Sequence, residues 1–179
     1  MTLASLEDLR TYTTFTDDGQ AYQALEHASG AIQAYLEQTV TEVADDIVTL
    51  DGTGSWALVL PERPVTAIDS IAVDGTLIDD ADYTFDGPSG IVTRLNGAWG
   101  TKVASVVATY THGYATVPHD IRAATLELAA RALTGEGDQQ ARASQWGDLR
   151  VEYESRGGGR PGLLDPYAML ARYRVPAVA

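Results

Sequence analysis

Three histidines are the residues of this 179-residue chain with the most versatile side-chain chemistry, since imidazole can bind a metal or transfer a proton near neutral pH. His27 falls inside a predicted helix, His112 at the end of a predicted strand, and His119 in the first turn of a second predicted helix. No two of them share a helix face, and the chain has no cysteine. Because the ligand spacing of a zinc site is missing, we expect no metal and no cofactor.

Four aspartates lie close together in the middle of the chain and could offer oxygen ligands to calcium or a carboxylate pair for glycoside hydrolysis. They lack the glycine and the terminal glutamate of a calcium-binding loop. A hydrolytic pair is defined by a separation in space, which a sequence does not supply. We interpret the stretch as a solvated acidic turn and expect no catalytic residue. The four are Asp79, Asp80, Asp82 and Asp86.

A glycine triplet flanked by Arg156 and Arg160 is the main basic feature near the C-terminus. No apolar strand with a Gly-Lys-Ser/Thr ending precedes it, so a nucleotide-phosphate loop is not indicated. The composition is typical of a mobile loop. The functional alternative is that Arg150, Arg156 and Arg160 contact DNA or an acidic neighbour.

Charge is distributed unevenly along the chain, whose net charge is −13. Residues 1–136 carry 6 bases and 20 acids, whereas residues 137–179 carry 6 bases and 5 acids. Phosphate backbones repel so acidic a body, which argues against a basic nucleic-acid groove over most of its surface. No run approaches the ~20 apolar residues of a membrane span, and acids stand where a signal peptide has bases, so we expect neither membrane insertion nor export.

Helical periodicity appears at both ends of the chain. Apolar residues recur at steps of three and four from about Gly19 to Glu37, which predicts a helix that Asp17 could cap. Together with a short helical turn ahead of it, this makes residues 1–38 the predicted N-terminal helices.

A long helix is predicted over residues 117–135, beginning near Pro118, a residue type favoured in a first helical turn. Its broad apolar face leaves Arg122, Glu127 and Arg131 for solvent or for contacts between subunits.

Residues 39–112 predict strands, because short β-branched and aromatic runs alternate there with Asp-Gly and Asn-Gly pairs that favour tight turns. We predict meandering antiparallel hairpins. Residues 136–179 should hold a strand, the glycine-rich loop and a C-terminal helix. The order predicts an α+β fold: a single domain over 1–179, built as a small helical bundle with a long antiparallel β-hairpin insertion between its N-terminal and C-terminal helices.

Three stretches, which together span roughly residues 20–175, form a pattern with no catalytic signature. They are AIQAYLEQTVT at 31–41, LPERPVTAIDSIAVDGT at 60–76 with VVATYTHGYATVPHDIRAATLELAAR at 106–131, and QWGDLRVEYES at 145–155 with GLLDPYAMLARYR at 162–174. In pattern and order they resemble the head-to-tail connector (adaptor) proteins of siphophages, especially those of actinobacterial phages and prophages.

This resemblance implies a structural virion protein and not an enzyme. It implies a dodecameric ring in the virion neck, between the portal protein and the next connector or tail component, with DNA passing through the channel without sequence specificity. The subunits would be made in the cytoplasm of the host bacterium. A closed ring needs a heterologous interface, so Arg122, Glu127 and Arg131 become candidate subunit contacts.

Two other interpretations stay open. One is a tail-completion or other neck protein with the same strand and helix patterns, which would bind tail-tube protein instead of the portal. The other is a carbohydrate-binding or hydrolytic accessory that uses Trp56, Trp99 and Trp146 as sugar platforms, although single tryptophans near turns are more often core anchors.

Overall fold

The computed structural model describes residues 2–134 and 166–174. These residues divide into two compact units: Gln38–Thr116 forms a β unit, and the described residues before and after it form a helical unit. The predicted α+β class is confirmed. The predicted strand and glycine-rich loop of the C-terminal region lie outside the described residues, and the single domain over 1–179 stays a prediction.

The helical unit contains four α-helices, whose bounds lie close to those predicted from periodicity. The last of them continues into a short 3-10 turn at Ala171–Tyr173. The helices are α1 (Leu6–Tyr12), α2 (Asp18–Leu36), α3 (His119–Leu133) and α4 (Pro166–Leu170).

Side-chain caps fix where α1 and α2 begin. The Ser5 hydroxyl accepts the backbone N–H of Asp8 at 3.1 Å, and the Asp8 carboxylate accepts the backbone N–H of Ser5 at 3.1 Å, a reciprocal capping box. The Asp17 carboxylate accepts the N–H groups of Gly19 at 2.8 Å and Gln20 at 3.1 Å, which confirms the predicted cap. Both caps satisfy amide groups that have no carbonyl partner within the helix.

Small apolar side chains dominate the core of the helical unit, so the helices can approach closely. The Ser29 hydroxyl, buried in α2, donates to the carbonyl of Leu25 at 2.6 Å and accepts the amide of Leu3 at 2.9 Å, which attaches the N-terminal segment to this core. The buried cluster consists of Ala4, Leu9, Ala21, Ala24, Leu25, Ala28, Leu126 and Ala129.

The β unit contains two antiparallel sheets, of four and three strands. The larger has the strand order β1-β7-β3-β4 and the smaller β2-β6-β5. The strands are β1 (Val43–Leu50), β2 (Ala57–Val59), β3 (Val65–Val73), β4 (Thr76–Leu77), β5 (Tyr83–Asp86), β6 (Ile91–Arg94) and β7 (Val106–His112).

The predicted meander is wrong, because only β3–β4 and β5–β6 are neighbours both in sequence and in a sheet. The β3–β4 turn is the two-residue hairpin expected from its sequence: Asp74 and Gly75 have φ of 50° and 79°. Turn signals specify such local connections. They do not specify that β7 pairs with both β1 and β3, a choice made by burial over long sequence separations.

The two sheets share one buried core and therefore pack face to face, which leaves each with an outer face on the opposite side of the sandwich. Trp99 anchors this core: it is fully buried, and its indole N–H donates to the carbonyls of Trp56 at 3.0 Å and Val92 at 3.3 Å. The cluster includes Ile71, Val106, Ala108 and Tyr110 from the larger sheet and Leu58, Tyr83 and Val92 from the smaller.

Candidate assembly surface

The three predicted contact residues of the helical unit lie on α3, at the margins of its buried stripe. This stripe runs through Ile121, Ala124, Thr125, Leu126 and Ala129 and faces the core of the helical unit. The Thr125 hydroxyl donates to the carbonyl of Ile121 at 2.8 Å, so its burial leaves no unsatisfied polar atom. Because the stripe fixes the rotation of α3, its charged residues are held half-buried beside α1.

Glu127 is the most engaged of the three. Its carboxylate accepts a hydrogen bond from Arg131 Nε at 2.8 Å and one from the Tyr12 hydroxyl, so both carboxylate oxygens are used within one subunit. The hydrogen bond to Glu127, with burial and the negative charge of that carboxylate, raises the pKa of Tyr12 to about 12. Tyr12 therefore remains a protonated donor at neutral pH, and Glu127 and Arg131 neutralise each other.

Arg122 lies beside an open pocket of about 280 Å³ between α1 and α3. The pocket combines the apolar groups Ala123 and Leu126 with the polar groups Asp8, Thr11, Tyr12 and His119. Hydrogen bonds from the Ser5 hydroxyl and amide, with a smaller contribution from the charge of Arg122, hold the pKa of Asp8 below its ordinary value. Within residues 2–134 and 166–174, Arg122 forms no salt bridge.

Salt bridges and ring contacts attach the C-terminal residues to the rest of the helical unit. Arg172 pairs with Asp120 at the start of α3, and Arg174 lies 3.5 Å from a carboxylate oxygen of Glu37. Tyr35 of α2 and Tyr167 of α4 have ring centroids 5.0 Å apart. Two of these contacts connect residues that precede the β insertion in the sequence with residues that follow it. The DNA- or portal-contact candidates Arg150, Arg156 and Arg160 lie outside the described residues.

The histidines lie in three different elements of the fold. His27 lies in α2, His119 begins α3, and His112 ends β7, where its buried Nε2 is 3.2 Å from Oδ2 of Asp46. Sequence reasoning missed the contact with Asp46, since 66 residues separate the two and no local pattern connects them. Among the described residues, no group of three or more His, Asp or Glu side chains is placed to hold a metal ion.

The clustered aspartates are used as local hydrogen-bond acceptors. Asp79 caps a 3-10 turn through the amide of Ala81 at 2.9 Å, and Asp80 accepts the Tyr83 hydroxyl at 2.8 Å. Asp82 accepts the amide side chain of Asn96 at 3.1 Å, across 14 residues. This arrangement organises turns of the smaller sheet.

The tryptophans do not form a common platform within the described residues. Trp99 is fully buried, whereas the Trp56 residue is 62% exposed. Trp146 lies outside the described residues. None of the described helices is long and apolar enough to cross a membrane.

Comparison with known proteins gives a family and a fold. The family model "Head completion protein" matches residues 1–130. No curated protein matches the chain.

Three similar solved structures come from gene transfer agent (GTA) particles. The chain resembles one in "Neck of native GTA particle computed with C12 symmetry", with 15% identity and a TM-score of 0.61 over 97% of this chain and 90% of that one. A protein in "Neck of empty GTA particle computed with C6 symmetry" has 15% identity and a TM-score of 0.55, over 97% of this chain and 90% of that one. A protein in "Virion of native gene transfer agent (GTA) particle" has 16% identity and a TM-score of 0.55, over 93% of this chain and 82% of that one. At sequence identities of 15–16%, the similarity to these structures shows a shared fold.

The family match covers well over half of the chain and includes α1, α2, all seven strands and most of α3. It agrees with the resemblance to head-to-tail connectors read from the sequence. The chain belongs to the head completion protein family.

Proposed function

We propose that this chain is a structural subunit of the virion neck, where copies assemble into a ring that connects the portal to the next neck or tail component. It acts by assembly and not by catalysis. The observation that carries the proposal is the likeness of fold, over 97% of the chain, to a protein in a neck computed with C12 symmetry. Membership of the head completion protein family supports the same role.

The charge of the chain is compatible with a DNA conduit. Each subunit has a net charge of −13, so a ring would surround the duplex with negative potential. Phosphate groups within the screening length of ~8 Å would be repelled and not bound. DNA would therefore move through the channel without adhering to it. The arginines at 150, 156 and 160 are proposed to supply a few contacts to DNA or to the portal.

Arg122 has the strongest support among the proposed subunit contacts. Glu127 and Arg131 already satisfy each other, whereas Arg122 lines an open pocket together with the apolar side chains of Ala123 and Leu126. A carboxylate from an adjacent subunit would gain a charge-assisted hydrogen bond there. We propose that this pocket receives an acidic side chain when the ring closes.

The test is capture of the portal protein by purified chain, followed by electron microscopy of the complex. The proposal expects portal binding and annular density. Arg122→Glu should abolish annular assembly. Arg10→Glu is the matched control, since Arg10 is an exposed arginine of the same unit that pairs with Asp18 at 2.6 Å, and it should leave assembly intact.

Two results would contradict the proposal. Binding to tail-tube protein without binding to the portal would favour the tail-completion alternative. A complex that lacks any annular density would reject the ring.

A further inference from the structure

We propose that Asn96 is a site of spontaneous covalent modification. Its side-chain amide is converted to a carboxylate through attack by the backbone nitrogen of Gly97, and the product weakens the smaller sheet. The site is the exposed bend at residues 95–98, which follows β6. The inference does not depend on the proposed neck function.

The sequence offers this reaction at one position. Asn96 is the single asparagine of the chain, and a glycine follows it. Asparagine is among the thermolabile residue types. Its loss requires the backbone nitrogen of the next residue to reach the side-chain carbonyl carbon, and glycine has no side chain that would obstruct this approach.

The structure leaves the attacking nitrogen accessible. Residues 95–98 are exposed and lie outside the sheet ladders. Within the described part of the chain, the N–H of Gly97 donates no hydrogen bond. Gly97 has φ of 96°, and a Cβ added there would meet nothing within 4 Å. Neither packing nor a ladder of hydrogen bonds therefore holds this nitrogen away from the Asn96 side chain.

The three aspartate–glycine pairs of the β unit are protected by comparison. An ionised carboxylate is a much poorer electrophile than an amide, and each of these carboxylates also has a fixed partner. The partners are the amide of Ala104 for Asp51 at 2.7 Å, the ammonium of Lys102 for Asp74 at 2.9 Å and the amide of Ser89 for Asp86 at 3.1 Å. We therefore expect the modification at Asn96 and not at these pairs.

The reaction is a hydrolysis with no change in oxidation state. The Gly97 amide loses its proton to a solvent base, and its nitrogen forms a bond to Cγ of Asn96. The bond from Cγ to Nδ2 breaks, and Nδ2 takes up a proton from water and leaves as ammonia. The product of this step is a cyclic imide. Water then opens the ring at either of its carbonyl carbons, which gives aspartate or isoaspartate at position 96.

The aspartate product replaces a hydrogen bond of the smaller sheet with a repulsion. Asn96 Nδ2 donates to Oδ1 of Asp82 at 3.1 Å. Once an oxygen replaces Nδ2, the donor is lost and two carboxylates face each other. Asp82 also accepts the backbone N–H of Leu95 at 2.8 Å, next to the last β5–β6 pair, Tyr83 with Arg94. Repulsion at this point should loosen that end of the sheet.

The isoaspartate product affects the core as well, because it directs the backbone through the former side chain and lengthens the bend by a methylene group. Hydrogen bonds hold the bend at both ends. The N–H of Leu95 donates to the carbonyl of Asp82 at 2.8 Å, and the N–H of Trp99 donates to the carbonyl of Ser55 at 3.0 Å. Trp99 is fully buried. A longer backbone between these two contacts should displace Trp99 or break one of the hydrogen bonds.

Incubation of the purified full chain in mildly acidic and mildly alkaline buffer tests the modification. Isoelectric focusing resolves the added negative charge. Peptide mass spectrometry, with labelling by isoaspartyl methyltransferase, locates it. We expect an acidic species that accumulates with time and carries aspartate and isoaspartate at position 96. It should accumulate faster in the alkaline buffer, where more of the Gly97 amide is deprotonated.

Asn96→Gln is the matched control, because glutamine keeps an amide while its longer side chain disfavours ring closure. This variant should stay unmodified. Gly97→Ala should slow the reaction at least about tenfold, since a side chain at position 97 obstructs the approach of the nitrogen. Thermal melting followed by circular dichroism checks that both variants fold. If Gly97→Ala does not fold, Asn96→Gln alone decides the comparison.

Asn96→Asp reproduces the aspartate product and tests its consequence. It should lower the Tm by roughly 2 °C or more, because it exchanges a hydrogen bond for a repulsion. In an Asp82→Ala background the same substitution should have less than about half of this effect, since the facing carboxylate is gone.

Several results would overturn the proposal. One is a chain that gains no negative charge during prolonged incubation in alkaline buffer, and another is an acidic species that maps to glutamine residues. A third is an Asn96→Gln variant that acquires charge as fast as the wild-type chain. An equal loss of Tm from Asn96→Asp with and without Asp82 would reject the effect on the sheet. None of these measurements uses portal binding or ring formation, so they are independent of the neck function.

Discussion

The Tyr12 hydroxyl of α1 donates a hydrogen bond to the Glu127 carboxylate of α3, joining residues 115 positions apart in sequence. Arg131 occupies the other oxygen of the same carboxylate at 2.8 Å. The contact holds the short α1 against α3 at the wall of the pocket that contains Arg122.

Tyr12→Phe should lower the free energy of unfolding by about 1 kcal/mol, since it removes a hydrogen bond to a charged acceptor at a partly exposed site. Urea denaturation measures this. Tyr22→Phe is the matched control, because Tyr22 is 47% exposed in α2, and its effect should be within about 0.5 kcal/mol. Equal effects of the two substitutions would show that the Tyr12 contact contributes nothing to stability.

Stability should fall between about pH 10 and pH 12. The pKa of Tyr12 is raised from 10.0 to about 12, chiefly by its hydrogen bond to Glu127, so the unfolded chain releases this proton first. The contribution of the protonated Tyr12 to the free energy of unfolding is complete below pH 10 and is lost as the pH approaches 12. Burial raises the pKa values of Tyr83 and Tyr110 to about 12 as well. Phenolate absorbance should show these three tyrosines titrating late, and Tyr12→Phe should remove one of them. A single transition of all tyrosines near pH 10 would contradict this.

Trp99→Phe should destabilise the β unit by about 2 kcal/mol, because the carbonyls of Trp56 and Val92 lose their indole donor and a void is left in the core. Trp56→Phe, at an exposed position, should change stability by less than about 0.5 kcal/mol. Urea denaturation distinguishes the two. A small effect at Trp99 would mean that the sandwich core does not depend on this side chain.

Gly113→Ala should destabilise the chain by at least about 2 kcal/mol. Gly113 has φ of 87°, and an added Cβ would lie 2.4 Å from the carbonyl oxygen of Thr41. Gly30→Ala is the opposite case, since its added Cβ meets nothing within 4 Å in α2 and should stabilise by about 0.5–1 kcal/mol. Thermal melting of both variants tests the contrast, and a shift of the same sign for both would refute it.

The long helices were predictable because their determinants are local. Asp17 caps α2 as its position before the periodic run indicated, and Pro118 marks the beginning of α3. The sheet topology was not predictable in this way, because the pairing of β7 with β1 and β3 depends on contacts across many residues. The sequence alone could not distinguish Arg122 from Glu127 as candidate subunit contacts. Only the fold brings Tyr12 to Glu127 and so occupies that carboxylate.

The alternation of residues along β7 does not show which of its two faces is buried. Val107, Thr109 and Thr111 alternate with Val106, Ala108 and Tyr110 along β7, and neither set contains a charge. An antiparallel strand with one solvated face ordinarily alternates apolar and polar residues. Since both sets are uncharged, the pattern alone does not tell which one is buried. The burial of Val106, Ala108 and Tyr110 decides it.

The division of the helical unit by the β insertion affects the order of events during synthesis. All seven strands are contiguous in Gln38–Thr116, so a complete set of sheet partners leaves the ribosome before α3 does. By contrast, α1 and α2 emerge early, and their packing partner α3 is encoded more than eighty residues later. Since domains form as their segments become available, the sandwich can mature on the nascent chain while the bundle is completed afterwards.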